Sequence, residues 1–286
     1  MSNSKSKMRI FITGASGQLA KSLTNLYKNE VLYLATKKKL DITNKNEVFR
    51  QIDKFKPDII FHLASMTRGD ECAKNPEKAY SVNVEGTRNV VEISKKNNIL
   101  LLFVSSNEVF DGKKKSPYKE TDIPNPITVV GKTKLEAEKI IQANIKKYFI
   151  VRTSWLYSKW STNFLQSVIF KARKSRKVDL VKDEISSPTF SDDLAKGIQK
   201  LISKRKYGVF HLSNLGSVSR LKFAEKAFDI YGIEEVEINP IKLDEYVRLS
   251  KPPKYSALNI SKAKRMGIKM PRWESALKKF LLSVNL

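Results

Sequence analysis

The sequence predicts an α/β fold: a Rossmann-type, doubly wound parallel sheet followed by a smaller C-terminal α/β substrate region. Two observations carry this. Short apolar, β-branched runs alternate with helical patterns at Arg9–Thr13, Val31–Ala35, 58–63, 99–105 and 148–152, a rhythm that wraps helices around a parallel sheet. A glycine-bearing turn also sits directly between the first run and a helix, where a doubly wound sheet binds its ligand. After the third run, Asn75 is expected as a helix N-cap and Pro76 at the first helical position, with an apolar stripe of Ala79, Val82, Gly86, Val90 and Ile93. Beyond about residue 155 the rhythm loosens into a helix over 163–173, a strand over 178–182, a helix from Asp192, a strand over 208–213, a helix over Arg220–Tyr231, an extended stretch over 251–255 and a last helix from Trp273. The expected division is a dinucleotide-binding domain over 1–152 and a substrate-binding region over 153–286, with the chain free to cross between them.

A chain of 286 residues with 41% apolar content can bury a large core. Its 54 Lys and Arg against 29 Asp and Glu give a net charge of +25, which draws anions toward the surface. The lysines are spread along the chain and accompany no nucleic-acid motif, so a solvated basic surface is expected rather than a nucleic-acid interface. Cys72 is the only cysteine and His62 and His211 the only histidines, which excludes an internal disulfide and a structural zinc cluster. The start, 1–7, is polar, and the strongest apolar runs, 58–64 and 99–104, are strand-sized. A cytoplasmic protein with no membrane span is the expectation.

The turn Thr13-Gly14-Ala15-Ser16-Gly17-Gln18-Leu19-Ala20 has the chemistry of a dinucleotide site. Gly14 permits the tight turn, Gly17 lets backbone N–H groups approach a pyrophosphate, and the small Ala20 allows close helix packing, with the helix N-terminus favouring the anion. At the end of the second strand, where an NAD-selective site carries an acid for the ribose hydroxyls, the chain has Thr36, Lys37 and Lys38. A hydroxyl and ammonium groups suit a 2′-phosphate and favour NADPH over NADH, although in so lysine-rich a chain they also read as surface charge.

Further motifs follow in order: Leu40-Asp41-Ile42-Thr43, Pro57-Asp58, Ala64-Ser65-Met66-Thr67 with Asp70, Val82-Asn83, Val109-Phe110-Asp111-Gly112, Pro117-Tyr118-Lys119-Glu120, Arg152-Thr153-Ser154-Trp155, Ser187-Pro188-Thr189 and Tyr255-Ser256-Ala257-Leu258. With these, the chain resembles the extended short-chain dehydrogenase/reductase superfamily, and within it the dTDP-4-dehydrorhamnose reductase family, across nearly its whole length. The resemblance implies NAD(P)H-dependent reduction of a 4-keto deoxysugar nucleotide, and often a homodimer. To the cofactor residues expected from the turn and the end of the second strand, Gly14, Ser16, Gly17, Gln18, Leu19, Thr36 and Lys37, the resemblance adds Asp41 and Ile42 near the adenine, and Ala64 and Ser65 along the ribose. Ser106, Asn107 and Trp155 fall toward the sugar nucleotide.

The resemblance also exposes a gap. In this superfamily a Ser or Thr, a Tyr and a Lys act together, with Tyr and Lys four residues apart on one helix face. Tyr protonates the carbonyl oxygen, and Lys lowers its pKa and binds the nicotinamide ribose. Ser106 fills the hydroxyl position and Lys134 the lysine position, but the tyrosine position is Val130. Val130, Lys134, Ala137, Ile141 and Ile145 form one apolar seam, where a lysine needs a polar partner or ligand unless it snorkels to the surface. Pairing Thr128 with Lys132 instead supplies no proton donor at neutral pH, and Tyr118 is a remote substitute. Glu108 stands in Ser106-Asn107-Glu108-Val109-Phe110, either as a general acid in a rearranged site or as a partner for a nearby lysine. Arg220 replaces a Trp common in the family, and Pro252 an Arg. The expected function is a sugar-nucleotide reductase, the alternative a catalytically impaired homologue that binds NADP(H) as a regulatory or partner-binding subunit.

Overall fold

The computed structural model describes residues 6–284, so positions 1–5 of the polar start and 285–286 lie outside it. In chain order the first half runs β1 (Arg9–Thr13), α1 (Gln18–Leu26), β2 (Val31–Ala35), α2 (Lys45–Phe55), β3 (Ile59–His62), α3 (Gly69–Lys74), α4 (Pro76–Tyr80), α5 (Gly86–Lys96), β4 (Leu100–Ser106), α6 (Val129–Asn144) and β5 (Tyr148–Thr153). The remainder is β6 (Leu156–Tyr157), α7 (Phe164–Ser175), β7 (Lys177–Val181), β8 (Ile185–Ser186), β9 (Thr189–Phe190), α8 (Ser191–Ser203), β10 (Gly208–His211), β11 (Val218–Ser219), α9 (Arg220–Tyr231), β12 (Glu237–Ile241), α10 (Ser261–Arg265) and α11 (Trp273–Leu281).

Six strands form one parallel sheet in the order β10-β5-β4-β3-β1-β2. Both faces are covered, which is why the strands read as unbroken apolar runs rather than as alternating ones. Side-chain alternation still sorts them. Ile10, Ile12, Ile59, Phe61 and Leu102 pack with α1, α8 and α10, whereas Phe11, Ile60, Leu101 and Phe103 pack with α2, α5 and α6. A third core joins α7, α9, α11, β7 and β9 through Leu165, Phe223, Phe280 and Phe190. The edge strand β10 comes from the later part of the chain and pairs with β5. The sheet is thus Rossmann-type, as the sequence predicts. Because β1 pairs with β2 on one side and β3 on the other, the winding reverses there, and ligands of such sheets bind beyond the carboxyl ends of those strands.

One helix departs from its predicted form. Between α4 and α5, Ser81–Glu85 forms a π turn, which holds one more residue than an α-helical turn and shifts the register beyond it. Val84 is therefore buried where the stripe predicts Val82, and Val82 lines a cavity instead. Asn83 also turns inward and is 2% exposed. Asn75 occupies the N-cap position but makes no side-chain cap, because its amide donates to the Glu71 carbonyl instead. No helix among the described residues is long and apolar enough to cross a membrane.

Candidate active site

A cavity of about 670 Å³ opens along the carboxyl ends of β1, β3, β4 and β5. At one end the turn after β1 forms its floor. Gly14 has φ +65, and a Cβ there would lie 2.6 Å from the Ala64 backbone nitrogen, so only glycine fits this crossing. Gly17 caps α1 without a side-chain bond and no acid stands in the first turn, leaving helix N–H groups for an anion.

Under this crossing lies a buried polar chain. The Thr87 hydroxyl donates to the Asn83 carbonyl at 2.6 Å and therefore accepts from His62 Nε2 at 3.0 Å. His62 Nδ1 then accepts from Thr13 Oγ1 at 2.8 Å, and Thr13 Oγ1 accepts the Leu63 and Ala64 N–H groups, each at 3.1 Å. One tautomer satisfies every group. Burial, assisted by the nearby Lys134 charge, pushes His62 down to about 3, so the ring is neutral and structural. Asn83 extends the chain, with Oδ1 accepting from Met66 N at 2.7 Å and Ser65 Oγ at 2.9 Å, and Nδ2 donating to Thr133 Oγ1 at 2.9 Å.

The sequence-predicted cofactor residues Gly14, Ser16, Gly17, Gln18, Leu19, Lys37, Asp41, Ile42, Ala64 and Ser65 all line the cavity. Thr36 does not line it; its carbonyl accepts the Lys39 and Leu40 N–H groups and closes the turn after β2. Lys38 is exposed and likewise outside the lining, so Lys37 alone of the predicted lysine pair faces the cavity. Asp41 binds the Thr43 N–H at 2.9 Å, and that bond holds its carboxyl below the usual range.

Lys134 lines the cavity. It is 4% exposed, so it does not snorkel. Its Nζ donates to the Val104 carbonyl at 2.8 Å and stands 4.6 Å from the centre of the Phe103 ring. Burial pulls it down to about 8, against the opposing field of Glu138. Glu138, one turn further along α6, is fully buried and pairs with Arg152 at 2.6 Å. Val130 also lines the cavity, packed with Cys72 and Ala79.

At the other end, Ser106, Asn107, Glu108, Trp155 and Arg220 line the cavity. Ser106 Oγ accepts the Glu108 N–H at 3.1 Å. Asn107 is tied to Ser256 Oγ at 2.7 Å and Ser186 Oγ at 3.3 Å. Among the described residues Glu108 pairs with no lysine; its Oε2 accepts from the Thr128 hydroxyl at 2.6 Å, and the surrounding cations are Arg220 and Arg248. Arg220 lies 3.5 Å from the centre of the Trp155 ring and 3.4 Å from Glu184. Trp155 adopts φ +40, a strained conformation for a bulky residue and one that clusters at functional sites. Tyr118 cannot substitute for the missing tyrosine. It is 4% exposed, stacks on Phe110 and donates to Asp111, away from the cavity lining.

Sequence reasoning did not single out the roles of Asn83, Thr133 or the His62 chain, nor the approach of Glu184 and Arg248 to Glu108. The motif Val82-Asn83 was the available signal for Asn83. Three cavity-lining polar atoms, Gln18 Oε1, Ser105 Oγ and Thr153 Oγ1, are buried without a partner, a condition that a polar ligand relieves. With the close approach at Gly14 and the bare helix N-terminus, the residues fit a dinucleotide.

Over residues 8–285 the sequence matches the family described as RmlD substrate binding domain. It is 37% identical over 286 residues to a dTDP-4-dehydrorhamnose reductase of Aggregatibacter actinomycetemcomitans, covering 94% of this chain and 97% of that one. To the spore coat polysaccharide biosynthesis protein SpsK of Bacillus subtilis it is 33% identical, covering 96% of each. Among solved structures, dTDP-4-dehydrorhamnose reductase from Bacillus anthracis in complex with NADP aligns with TM-score 0.93 at 36% identity, over 97% of this chain and 100% of that chain. A UDP-glucose 4-epimerase from Thermus thermophilus, at 16% identity and TM-score 0.81, shares the fold over 96% of this chain. With this sheet, this glycine turn and this cavity, the chain belongs to the RmlD substrate binding domain family, among relatives named dTDP-4-dehydrorhamnose reductase.

Proposed function

We propose that the chain is an NADPH-dependent reductase of a 4-keto deoxysugar nucleotide of the dTDP-4-dehydrorhamnose type. The observation that carries this is Lys134, a buried amine lining the same cavity as Gly14 and Gly17 after β1 and Trp155 and Arg220 from the later part of the chain. In this reading the first end holds the dinucleotide: α1 faces the pyrophosphate, Lys37 the 2′-phosphate, Asp41 and Ile42 the adenine side, and Ala64 and Ser65 the ribose. A nicotinamide held there would supply the hydride for the carbonyl carbon. Lys134 holds the nicotinamide ribose by its ammonium group, and Ser106 orients the carbonyl oxygen through its hydroxyl. Trp155 and Asn107 bound the sugar. Residues 1–152 then serve the cofactor and 153–286 the substrate, with β10 crossing back into the sheet. A homodimer is read from the family resemblance and a cytoplasmic location from apolar runs no longer than a strand, and nucleic acid has no part in the reading.

A second reading is favoured by one residue. Val130 gives the cavity a hydrocarbon where the superfamily has a phenol, which is the mark of a homologue that binds NADP(H) without turnover. Both readings are tested by NADPH fluorescence on binding, followed by NADPH oxidation with dTDP-4-dehydrorhamnose, for wild type and Val130→Tyr. Wild-type oxidation supports the reductase. Binding without oxidation, with turnover gained in Val130→Tyr, supports the impaired homologue, and no NADPH binding defeats both.

A further inference from the structure

Beside Val130 the cavity holds a carboxyl that is built in rather than solvated. Glu108 lies on the short turn Asn107–Val109 that leaves β4 directly after Ser106. The N-terminus of α6 is pressed against this turn: a Cβ on Gly131 would come within 2.0 Å of the Glu108 carbonyl oxygen. Thr128, the N-cap of α6, donates to Glu108 Oε2 at 2.6 Å while accepting the Gly131 N–H at 3.0 Å. The same first turn of α6 therefore fixes Val130 and the Glu108 carboxyl together, and both line the cavity with Ser106 and Lys134.

We propose, building on the reductase reading, that Glu108 is the proton donor of this reaction, taking the part the phenol has elsewhere in the superfamily. The balance is simple. The carbonyl carbon receives hydride from the reduced dinucleotide, the carbonyl oxygen receives the proton of the Glu108 carboxylic acid, and the resulting carboxylate regains a proton from solvent through the open cavity. Cys72, packed under Val130, is no competitor, since it is fully buried and does not line the cavity.

The surroundings suit an acid that is protonated before turnover. Burial raises the Glu108 carboxyl from its ordinary value, and the Glu184 carboxylate raises it further. The Thr128 hydrogen bond, Arg248 and Arg220 oppose this. Both arginines are shared, however: Arg220 stands 3.4 Å and Arg248 3.9 Å from Glu184, and Arg248 also faces Asp70 at 4.0 Å. Lys134 lines the same cavity, with its amine donating to the Val104 carbonyl.

The test compares wild type, Glu108→Gln and Glu108→Asp. Gln keeps the acceptor for Thr128 but has no acidic proton. Glu108→Gln is expected to lower kcat about 10²- to 10⁴-fold, with KM for the keto sugar and NADPH affinity within threefold. The fall of kcat at high pH, set by loss of the donor proton, should disappear in Glu108→Gln and return in Glu108→Asp at reduced rate. An infrared difference spectrum of the NADPH-bound proteins supplies a readout independent of turnover: wild type should show a protonated-carboxyl band sensitive to D₂O that Glu108→Gln lacks. If wild type turns over and Glu108→Gln keeps its rate and pH profile, this proposal fails and the reductase reading stands. If wild type binds NADPH but never oxidises it with the keto sugar, both fail.

Discussion

The buried amine of Lys134 should be a liability to the folded state, and its removal should stabilise the protein while weakening cofactor binding. Its value falls from the ordinary 10.5 to about 8, because burial disfavours the charged form. At 1.36 kcal/mol for each tenfold change in proton affinity, the folded state loses about 3 kcal/mol at pH 7 by holding this charge. Lys134→Met keeps the packing along the α6 seam and removes that penalty, but it also removes the hydrogen bond to Val104, worth about 1 kcal/mol. A net gain of about 2 kcal/mol remains, or a rise in Tm of roughly 4–8 °C. The sign with pH follows from linkage. Between about 8 and 10.5 the unfolded chain binds the proton that the folded chain has released, so wild type gains stability with rising pH there and the variant does not. The two should differ most below pH 8 and converge toward pH 10. Urea denaturation of both proteins from pH 6 to 10, with NADPH binding by fluorescence at pH 7, measures both halves. A Lys134→Met protein less stable than wild type by the same amount at every pH would refute this account.

Other expectations are as direct. Gly14→Ala places a methyl group against the Ala64 backbone, which Thr13 pins in place, so NADPH affinity should fall at least tenfold and Tm should drop; unchanged titration fluorescence would contradict the close crossing. Glu138→Ala strands the Arg152 guanidinium in the core, where the pair is 4% and 0% exposed, and should cost about 3–5 kcal/mol. Glu138→Met with Arg152→Met should recover most of that loss, as read by urea unfolding. Lys37→Asp removes the one cavity-facing lysine after β2 and should shift the ratio of NADPH to NADH affinity by at least tenfold toward NADH.

The five early strands were legible because burial on both faces leaves a continuous apolar run between breakers, and β1 and β2 fall on their predicted residues. The helix over Arg220–Tyr231 was equally plain, with Ser219 capping and Gly232 ending it in the left-handed region. Pairs such as β6 with β9 and β8 with β11 are two residues long and exist only because loops distant in sequence meet, so no local period marks them. The strand β12 contains Pro240 and sits on an edge beside β7, where a missing N–H is tolerated; its composition argued against a strand. At the site, glycine spacing found the cofactor turn because its chemistry is local. Glu184, Arg220 and Arg248 come from three separate segments, so their convergence on Glu108 is a property of the fold and not of any motif.

The π turn at Ser81–Glu85 ties the length of this stretch to the site. Shortening this stretch by one residue would leave an ordinary helix from Pro76 to Lys96, with backbone bonds intact but every preceding side chain rotated by about 100° about the axis relative to those after it. A molecule shortened there would keep its sheet and its helices yet lose the single amide that now bridges the loop after β3 to α6 through Met66 and Thr133. The same rotation would turn Ala79 away from Cys72 and Val130, so a single residue of chain length is coupled here to the wall of the cavity.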